Sequence, residues 1–499
     1  MSPFDDAYIT FRYVDNLLRG HGAVFNVGER VFGISCPLYA AWLASLSAAL
    51  PGASLPALAV KGNTLFLLLA AGLAFLLLRR LGCSRAWSWM AAGAMLFSEG
   101  ILRASLGGME SSMFLALAFG ALAAAAAGRD TLAVTLASLS ALTRPEGLLL
   151  LAVVCVPAAC AGKTLTGRLR PFMGLAPLVV WVVGAGVYFG SPVPHSIVAK
   201  AAPLYPLPPG AAFGHMASLM GRWALDGAAV AARLSIPRML YQVVGVGLTL
   251  WAMARWWGWR RADEGPGSIR TLALPAWLGL TVIFYAMANP LLLAWYIPLT
   301  QAPWLLVMVA ACRASEPAER RTALTKVTAT LVALMILGTA LASFVYSVAP
   351  TRRSLLLHGA TDERQAGQLA AYERTARWIE GHTEPGLSVA AAEIGILGYR
   401  LDRRIVDACG LVSPETLPFL PVPAAQRGGQ LGSFSVELVQ ATRPDIVVTL
   451  PAFAELSLMR SEWFGAAYRL VHEETFLPQE PRYRAVLVFL RQRNDEGLH

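Results

Sequence analysis

Two adjacent carboxylates, Asp5 and Asp6, head a stretch that runs through Ala7-Tyr8-Ile9-Thr10-Phe11-Arg12-Tyr13, Gly20-His21-Gly22 and Phe25-Asn26-Val27-Gly28-Glu29-Arg30, and closes at Ser35-Cys36-Pro37-Leu38-Tyr39. An acid pair can take a proton from a hydroxyl, one carboxylate acting as base while its neighbour orients it or caps a helix. Further ionisable residues recur in or beside apolar segments: Glu110, Arg144-Pro145-Glu146, and His195 and Lys200 within the run Tyr188–Lys200. Each has a plain structural reading. Asp5 or Asp6 caps the helix that follows, and Glu110 caps one starting near Ser111. Arg144 satisfies carbonyls at a helix break, and His195 and Lys200 touch headgroups. Ionisable groups at membrane depth are costly, however, and are kept for a task. Taken together they describe a site for an anionic, membrane-anchored substrate, with carboxylates working on a hydroxyl and cations holding a phosphate.

The elements that must position these groups follow from periodicity. From Ala7 to Arg19 the spacing is helical, with Ala7, Phe11, Val14 and Leu18 on one face and Arg12, Asp15, Asn16 and Arg19 on the other. That pattern suits a helix lying flat on a membrane surface. Leu38–Leu50 is shorter than the about 20 residues a bilayer requires and reads as a second surface helix, with Tyr39 and Trp42 at the interface.

Composition places most of the remainder in lipid. The chain of 499 residues is 56% hydrophobic and 14% charged, against about 25% charged for a soluble domain, and its mean hydropathy is +0.53. Apolar stretches that could cross a bilayer lie at about 54–79, 86–103, 111–127, 131–143 with 146–162, 171–189, 238–256, 271–289, 291–312 and 324–347. The pair flanking Arg144-Pro145-Glu146 reads as two crossings or a re-entrant hairpin. Alternating the crossings collects Arg79, Arg80, Arg85, Arg129, Lys163, Arg168, Arg170, Arg255, Arg260, Arg261, Arg270, Arg313, Arg320, Arg321 and Lys326 on one side, which the positive-inside rule makes cytoplasmic. The net charge of +10 is thus mostly topology and needs no nucleic acid. The opposite face holds residues 1–53, the Gly107–Glu110 turn, Arg144-Pro145-Glu146, the segment 190–237, Asn289-Pro290 and everything after about 349. A chain that starts outside without a signal peptide leads to the expectation of a first transmembrane helix upstream of Asp5. The six cysteines show no metal-ligand spacing and imply no disulfide framework.

Three domains result: residues 1–53, an extracytoplasmic loop with two amphipathic helices and the acid pair; 54–348, transmembrane helices with an extracytoplasmic loop at 190–237; and 349–499, a soluble α/β domain. In the last, Thr361–Glu380 has helical spacing, while Leu387–Ala391, Arg404–Asp407, Asp445–Leu450 and Ala485–Leu490 read as strands. It contains no Gly-rich nucleotide loop. Asp407-Ala408-Cys409-Gly410-Leu411 reads as a strand-end turn rather than a site.

The first block, from Asp5-Asp6-Ala7-Tyr8-Ile9-Thr10 to Gly28-Glu29-Arg30-Val31, resembles the first extracytoplasmic loop of GT-C superfamily glycosyltransferases. The arabinofuranosyltransferase-like branch is the nearer likeness, with protein O-mannosyltransferases and the lipid A aminoarabinose transferase more distant. The likeness continues at Gly108-Met109-Glu110-Ser111, Leu142–Gly147, Tyr188–Lys200, Trp295-Tyr296-Ile297-Pro298, Ala392–Tyr399 and Asp407 with Gly410-Leu411. His195-Ser196 departs from the Asn-Thr frequent in that family. The resemblance implies a GT-C fold: an α-helical polytopic membrane protein with about ten membrane segments present, and a C-terminal extracytoplasmic α/β domain. It implies transfer of a sugar from a polyprenyl-phosphate carrier to a hydroxyl of a cell-envelope glycan, lipid or protein. The reaction takes place on the outer, periplasmic face of the bacterial cytoplasmic membrane, usually with inversion. In that scheme Asp5 or Asp6 is the base, with Asp6 preferred. Arg144, His195 and Lys200 are candidates for the phosphate, Glu110 and Glu146 for sugar hydroxyls, and Tyr296 for substrate contact. No cofactor is expected; a divalent metal, used by some members of the superfamily, stays open. The competing readings are a transporter or flippase of lipid-linked sugars and a non-catalytic glycan-binding scaffold. A transporter would place its ionisable groups at the bilayer midplane and show internal repeats. Here the ionisable groups sit toward one interface and no repeat is found.

Overall fold

The computed structural model describes residues 3–161, 164–201, 207–231, 236–262, 268–312, 323–348, 360–427 and 433–492. Lys163, Arg313, Arg320 and Arg321 lie outside these residues, as does the expected domain boundary at 349. The chain forms two compact units. One comprises Ala57–Trp181 and Leu207–Thr351; the other comprises Ser2–Pro56, Val182–Pro206 and Arg352–His499.

The first unit is helical. Leu55–Arg80, Arg85–Phe97, Ser111–Ala126, Asp130–Ala141, Gly147–Ala161, Arg238–Ala262, Ala273–Ala288, Ile297–Ala311 and Ala323–Val348 all fall on apolar runs read from the sequence. Their shared core holds Trp223, Trp277, Trp304, Phe114 and Phe119. Outward they present Leu65, Leu68, Leu69, Leu76, Leu331, Leu334, Leu337 and Leu341. Exposed apolar rows of this kind are stable against lipid, not water. By length and composition Leu55–Arg80, Leu165–Phe189 and Ala294–Ala311 are each long and apolar enough to cross a membrane. Glu99–Leu106 and Ser111–Ala126 pass together but are bent by 114° at their break.

Two expectations change here. The run 86–103 is broken at Ser98, whose backbone is extended, into Arg85–Phe97 and Glu99–Leu106. The segment read as a loop at 190–237 contains a 21-residue helix, Ala211–Ala231, whose Trp223 is buried in the helical core. It packs closely on Arg238–Ala262 because both carry glycines: a Cβ on Gly221 would lie 1.9 Å from the Tyr241 carbonyl, and one on Gly245 would lie 2.1 Å from that of Ala217.

The second unit is built on a five-stranded sheet of order β2-β1-β3-β5-β4, where β1 is Val389–Ala391, β2 Ile405–Asp407, β3 Ile446–Thr449, β4 Tyr468–Thr475 and β5 Ala485–Arg491. β1 pairs parallel with β2 and β3, while β5 pairs antiparallel with β3 and β4. β1, β2 and β3 are wholly buried, as their short Val/Ile/Ala runs require. β4 reads Tyr-Arg-Leu-Val-His-Glu-Glu-Thr, a polar edge that the sequence does not announce. The long helix Ala360–His382 belongs to the same unit.

The N-terminal segment is part of this unit and supplies helices Asp5–Leu18 and Pro37–Ala49. Here the reading of a surface helix is corrected. Every residue from Ala7 to Val14 is buried, and so is Asn16, whereas Leu18 is 44% exposed. Arg12 and Asn16, assigned to the polar face, turn instead toward backbone carbonyls. Tyr39, expected at a membrane interface, is fully buried and stacks on Trp42 at 5.7 Å.

Candidate functional site

Three N-terminal side chains tie the first helix to the C-terminal domain. Asp5 is the first helical residue, preceded by Phe4 with extended backbone. Its Oδ2 accepts the Gly395 N–H at 3.0 Å and its Oδ1 the Ile396 N–H at 2.9 Å. Gly395 opens the helix Gly395–Arg400 that follows β1. A Cβ there would fall 1.9 Å from the Asp5 carbonyl oxygen, so only glycine permits the approach. Arg12 serves the other end of that helix. Its guanidinium donates to the carbonyls of Gly398, Leu401 (3.0 Å), Arg403 (2.7 Å) and Phe25, and lies 4.5 Å from the Phe25 ring centre. Asn26 then bonds both backbone groups of Ile405 at 2.9 Å, extending the β2 edge.

These bonds set the acid pair at the carboxyl ends of the parallel strands. β1 lies between β2 and β3, so the connections leaving it reverse direction there, which is where open α/β sheets bind ligands. In this chain the backbone N–H groups after β1 hold Asp5. Burial pushes the Asp5 carboxyl up to about 6, opposed by the Ile396 N–H and reinforced by Asp6.

Two more acids stand at the same strand ends. Glu393, just after β1, accepts the Gln368 amide and bonds Tyr372, both from Ala360–His382. Burial, then Asp5, raises it to about 8. Asp407 ends β2, and its carboxylate accepts the N–H groups of Cys409 (2.8 Å), Leu411 (2.5 Å) and Val412 (3.2 Å). It is therefore the strand-end turn that the sequence indicates, and burial raises it to about 7. Asp407, Glu393, Asp6 and Lys200 all act electrostatically on the buried Cys409 thiol. The structure thus brings Asp5, Asp6 and Lys200 together with two carboxylates that the sequence reading gave no chemical role. Their only sequence signal was membership of the blocks Ala392–Tyr399 and Asp407–Leu411.

His195 starts the helix that carries Lys200. Its backbone N–H donates to the Phe32 carbonyl at 2.6 Å and its ring bonds the Gly410 carbonyl. Burial lowers its pKa. This histidine fastens its helix to the Asp407 turn.

The other predicted residues lie in the helical unit and satisfy one another. Arg144 donates to Glu110 at 2.5 Å and, through Nε and Nη2, to both oxygens of Glu146 at 3.2 and 3.1 Å. The Tyr285 hydroxyl donates to Glu146 at 2.6 Å, and the Tyr296 ring centre lies 4.8 Å from the guanidinium carbon. All three charged residues are buried, Glu110 and Arg144 at 4% exposure and Glu146 at 7%. Among the described residues no group of three His, Cys, Asp or Glu side chains is arranged to hold a metal.

Residues 360–492 match a family described as a domain of unknown function (DUF8728). No curated protein matches the chain. Among solved structures, ArnT from Cupriavidus metallidurans bound to undecaprenyl phosphate aligns with a TM-score of 0.55 at 12% identity, over 98% of this chain and 94% of that one. Its apo form gives 0.55 at 14% identity, over 98% and 93%. Arabinofuranosyltransferase AftD from Mycobacteria gives 0.48 at 15% identity, over 99% of this chain and 40% of that one. The chain therefore has a GT-C-like fold, as its first-loop motif indicated, and with its apolar helices it is a membrane protein.

Proposed function

We propose that this protein is a glycosyltransferase that moves a sugar from a polyprenyl-phosphate carrier to a hydroxyl of a cell-envelope glycan, lipid or protein. The reaction takes place on the periplasmic face of the bacterial inner membrane, with about ten crossings, and inverts the anomeric centre. The observation that carries this reading is the division of labour in the acid pair. Both Asp5 oxygens accept backbone N–H groups, which fixes the first helical turn. Asp6 follows it, about 100° further round the helix, among the groups that gather at Cys409. The fold shared with ArnT, which binds undecaprenyl phosphate in its solved complex, supports the choice of carrier.

In this scheme Asp6 takes the proton of the acceptor hydroxyl as its oxygen bonds the anomeric carbon. The bond from that carbon to the carrier's phosphate oxygen breaks, its electron pair stays on the phosphate, and polyprenyl phosphate departs. Lys200 receives the developing charge. Arg144, enclosed by Glu110, Glu146 and Tyr296, holds its helix turn in shape, and His195 positions the helix bearing Lys200.

The test offers the purified full-length protein a panel of polyprenyl-phosphate sugars with envelope glycan and lipid acceptors, and identifies the product linkage. Transfer by wild type and its loss in Asp6→Asn are expected. Failure with every donor, or full activity in Asp6→Asn, refutes the reading.

A further inference from the structure

We propose that the C-terminal domain holds a second binding site, at the end of the sheet opposite the acid pair, for a saccharide that carries a phosphate or carboxylate group. Such a site would operate whether or not the acid pair transfers a sugar. A cleft of about 450 Å³ lies at the amino ends of the parallel strands, between the residues that precede β1 and β3 and the paired ends of β4 and β5. That volume falls within the range of about 300–1,000 Å³ found for small-molecule sites. Glu393 and Asp407 stand at the carboxyl ends of the same strands, so the two sites share no residue.

The polar wall of the cleft is already assembled. Asp445 Oδ2 accepts the Ser388 N–H at 3.0 Å and the Ser388 hydroxyl at 2.8 Å, while Oδ1 accepts Arg491 Nη2 at 2.6 Å. Arg491 Nη1 donates to the Arg443 carbonyl at 2.7 Å, so this guanidinium is fixed with N–H donors to spare. Arg469, opposite Leu490 in the β4–β5 pair, is exposed, and among the described residues it makes no hydrogen bond or ion pair. Arg403 is buried and donates through Nη2 to the carbonyl of Thr383, a lining residue, at 3.4 Å; its buried Nη1 has no hydrogen-bond partner among the described residues. Around the cleft Arg403, Arg443, Arg469 and Arg491 thus outnumber Glu380, Glu384 and Asp445. Guanidinium forks of this kind match the paired oxygens of phosphate and carboxylate. Glu384, also in the lining, repels a bare anion but accepts hydroxyl donors, so the ligand must bring O–H groups beside its charge. Leu387 and Leu490 offer apolar area to the C–H face of a sugar ring. The His382 ring completes the lining, held by Nδ1 on the Trp378 carbonyl at 2.9 Å and stacked on Trp378 at 4.7 Å. A sugar phosphate or a uronic acid combines these features.

The test titrates the full-length protein, in nanodiscs of phosphatidylcholine, with glucose 1-phosphate, glucuronate, glucose and inorganic phosphate, read by isothermal titration calorimetry. Saturable binding of glucose 1-phosphate or glucuronate is expected, about tenfold or more tighter than that of glucose or inorganic phosphate. Arg469→Gln is expected to weaken that binding about tenfold. Its thermal midpoint should stay at the wild-type value, because no hydrogen bond or ion pair among the described residues is lost. Asp6→Asn is expected to bind as wild type does, which separates the fate of this site from that of the transfer reaction. Absence of saturable binding overturns the proposal, as does equal binding by wild type and Arg469→Gln. Glucose bound as tightly as its phosphate overturns the oxyanion, and inorganic phosphate bound as tightly overturns the saccharide. Displacement of the probe when phosphatidylglycerol is added to the nanodiscs would assign the cleft to lipid headgroups and overturn it as well.

Discussion

Asp5 accepts the backbone N–H groups of Gly395 and Ile396, residues 390 and 391 positions further along the chain. An acid at the start of the chain is thereby fixed by the first helical turn after a central strand near its end. The catalytic chemistry proposed for Asp6 inherits its geometry from that contact, because adjacent residues on one helix cannot be placed independently.

Gly395→Ala tests the contact directly. The added methyl would lie 1.9 Å from the Asp5 carbonyl oxygen and 2.6 Å from its carboxylate, and backbone cannot swing aside as a long side chain can. A loss of about 1–3 kcal/mol is expected from such overpacking. Transfer activity should fall by more than stability does, since the displaced helix carries Asp6. Thermal midpoints and kcat measured on the same preparation check this, and an unchanged kcat would separate the contact from the chemistry.

Arg12→Met keeps most of the aliphatic stem and removes the guanidinium that four carbonyls share. Buried carbonyls left without a donor cost about 1–3 kcal/mol each, with partial relief where water enters. We expect a destabilisation of several kcal/mol, among the largest for any single substitution in this unit, measured by denaturant titration. A change below about 1 kcal/mol would mean that the helix Gly395–Arg400 is held mainly by other contacts.

These two residues also show how much the sequence discloses. Helices were legible wherever an apolar run was long and unbroken, and four of the five strands were legible as short Val/Ile/Ala/Leu runs. Ala211–Ala231 escaped because Gly214, His215, Gly221 and Arg222 dilute its hydropathy, although it packs through those same glycines. β4 escaped because its edge position lets it be polar. Arg12 and Asn16 were assigned to solvent because periodicity detects polarity alone, and a buried sink of carbonyls produces the same pattern as water. Asp5-Asp6 was legible as an acid pair. Its partners Glu393 and Asp407 were not, because nothing local to them reports an approach across most of the chain.

The acids predict an unusual pH dependence. Asp5, Asp407 and Glu393 all have folded-state values raised by burial, to about 6, 7 and 8. For a raised carboxyl the folded state binds the proton more tightly than the unfolded state. Its contribution is therefore fully present below about pH 4 and is lost as pH rises through the folded value. The thermal midpoint should decline between about pH 5 and 8, where many proteins are most stable. Scanning calorimetry across that range checks it, and a rising midpoint would show that these carboxyls are ionised without penalty.

The cluster at Arg144 makes the opposite kind of prediction, one of asymmetry. Glu110 and Glu146 are both buried and both bonded to the same guanidinium. Arg144→Met leaves two carboxylates in a low-dielectric setting with no cation, and losing one partner of a buried ion pair costs about 3–5 kcal/mol. Tyr285→Phe removes a single hydroxyl donor at 2.6 Å from Glu146, and the loss expected for one hydrogen bond to a charged group is about 1.5–3 kcal/mol. In the double variant Glu110→Gln with Glu146→Gln the arginine is the orphan, and the damage should resemble that of Arg144→Met. Removing all three charges together should restore part of the loss, because the cost lies in the unpaired charge rather than in the missing bond. A triple variant no better than the singles would instead mean that the cluster's hydrogen bonds hold the Arg144-Pro145 turn, and the neighbouring helices with it.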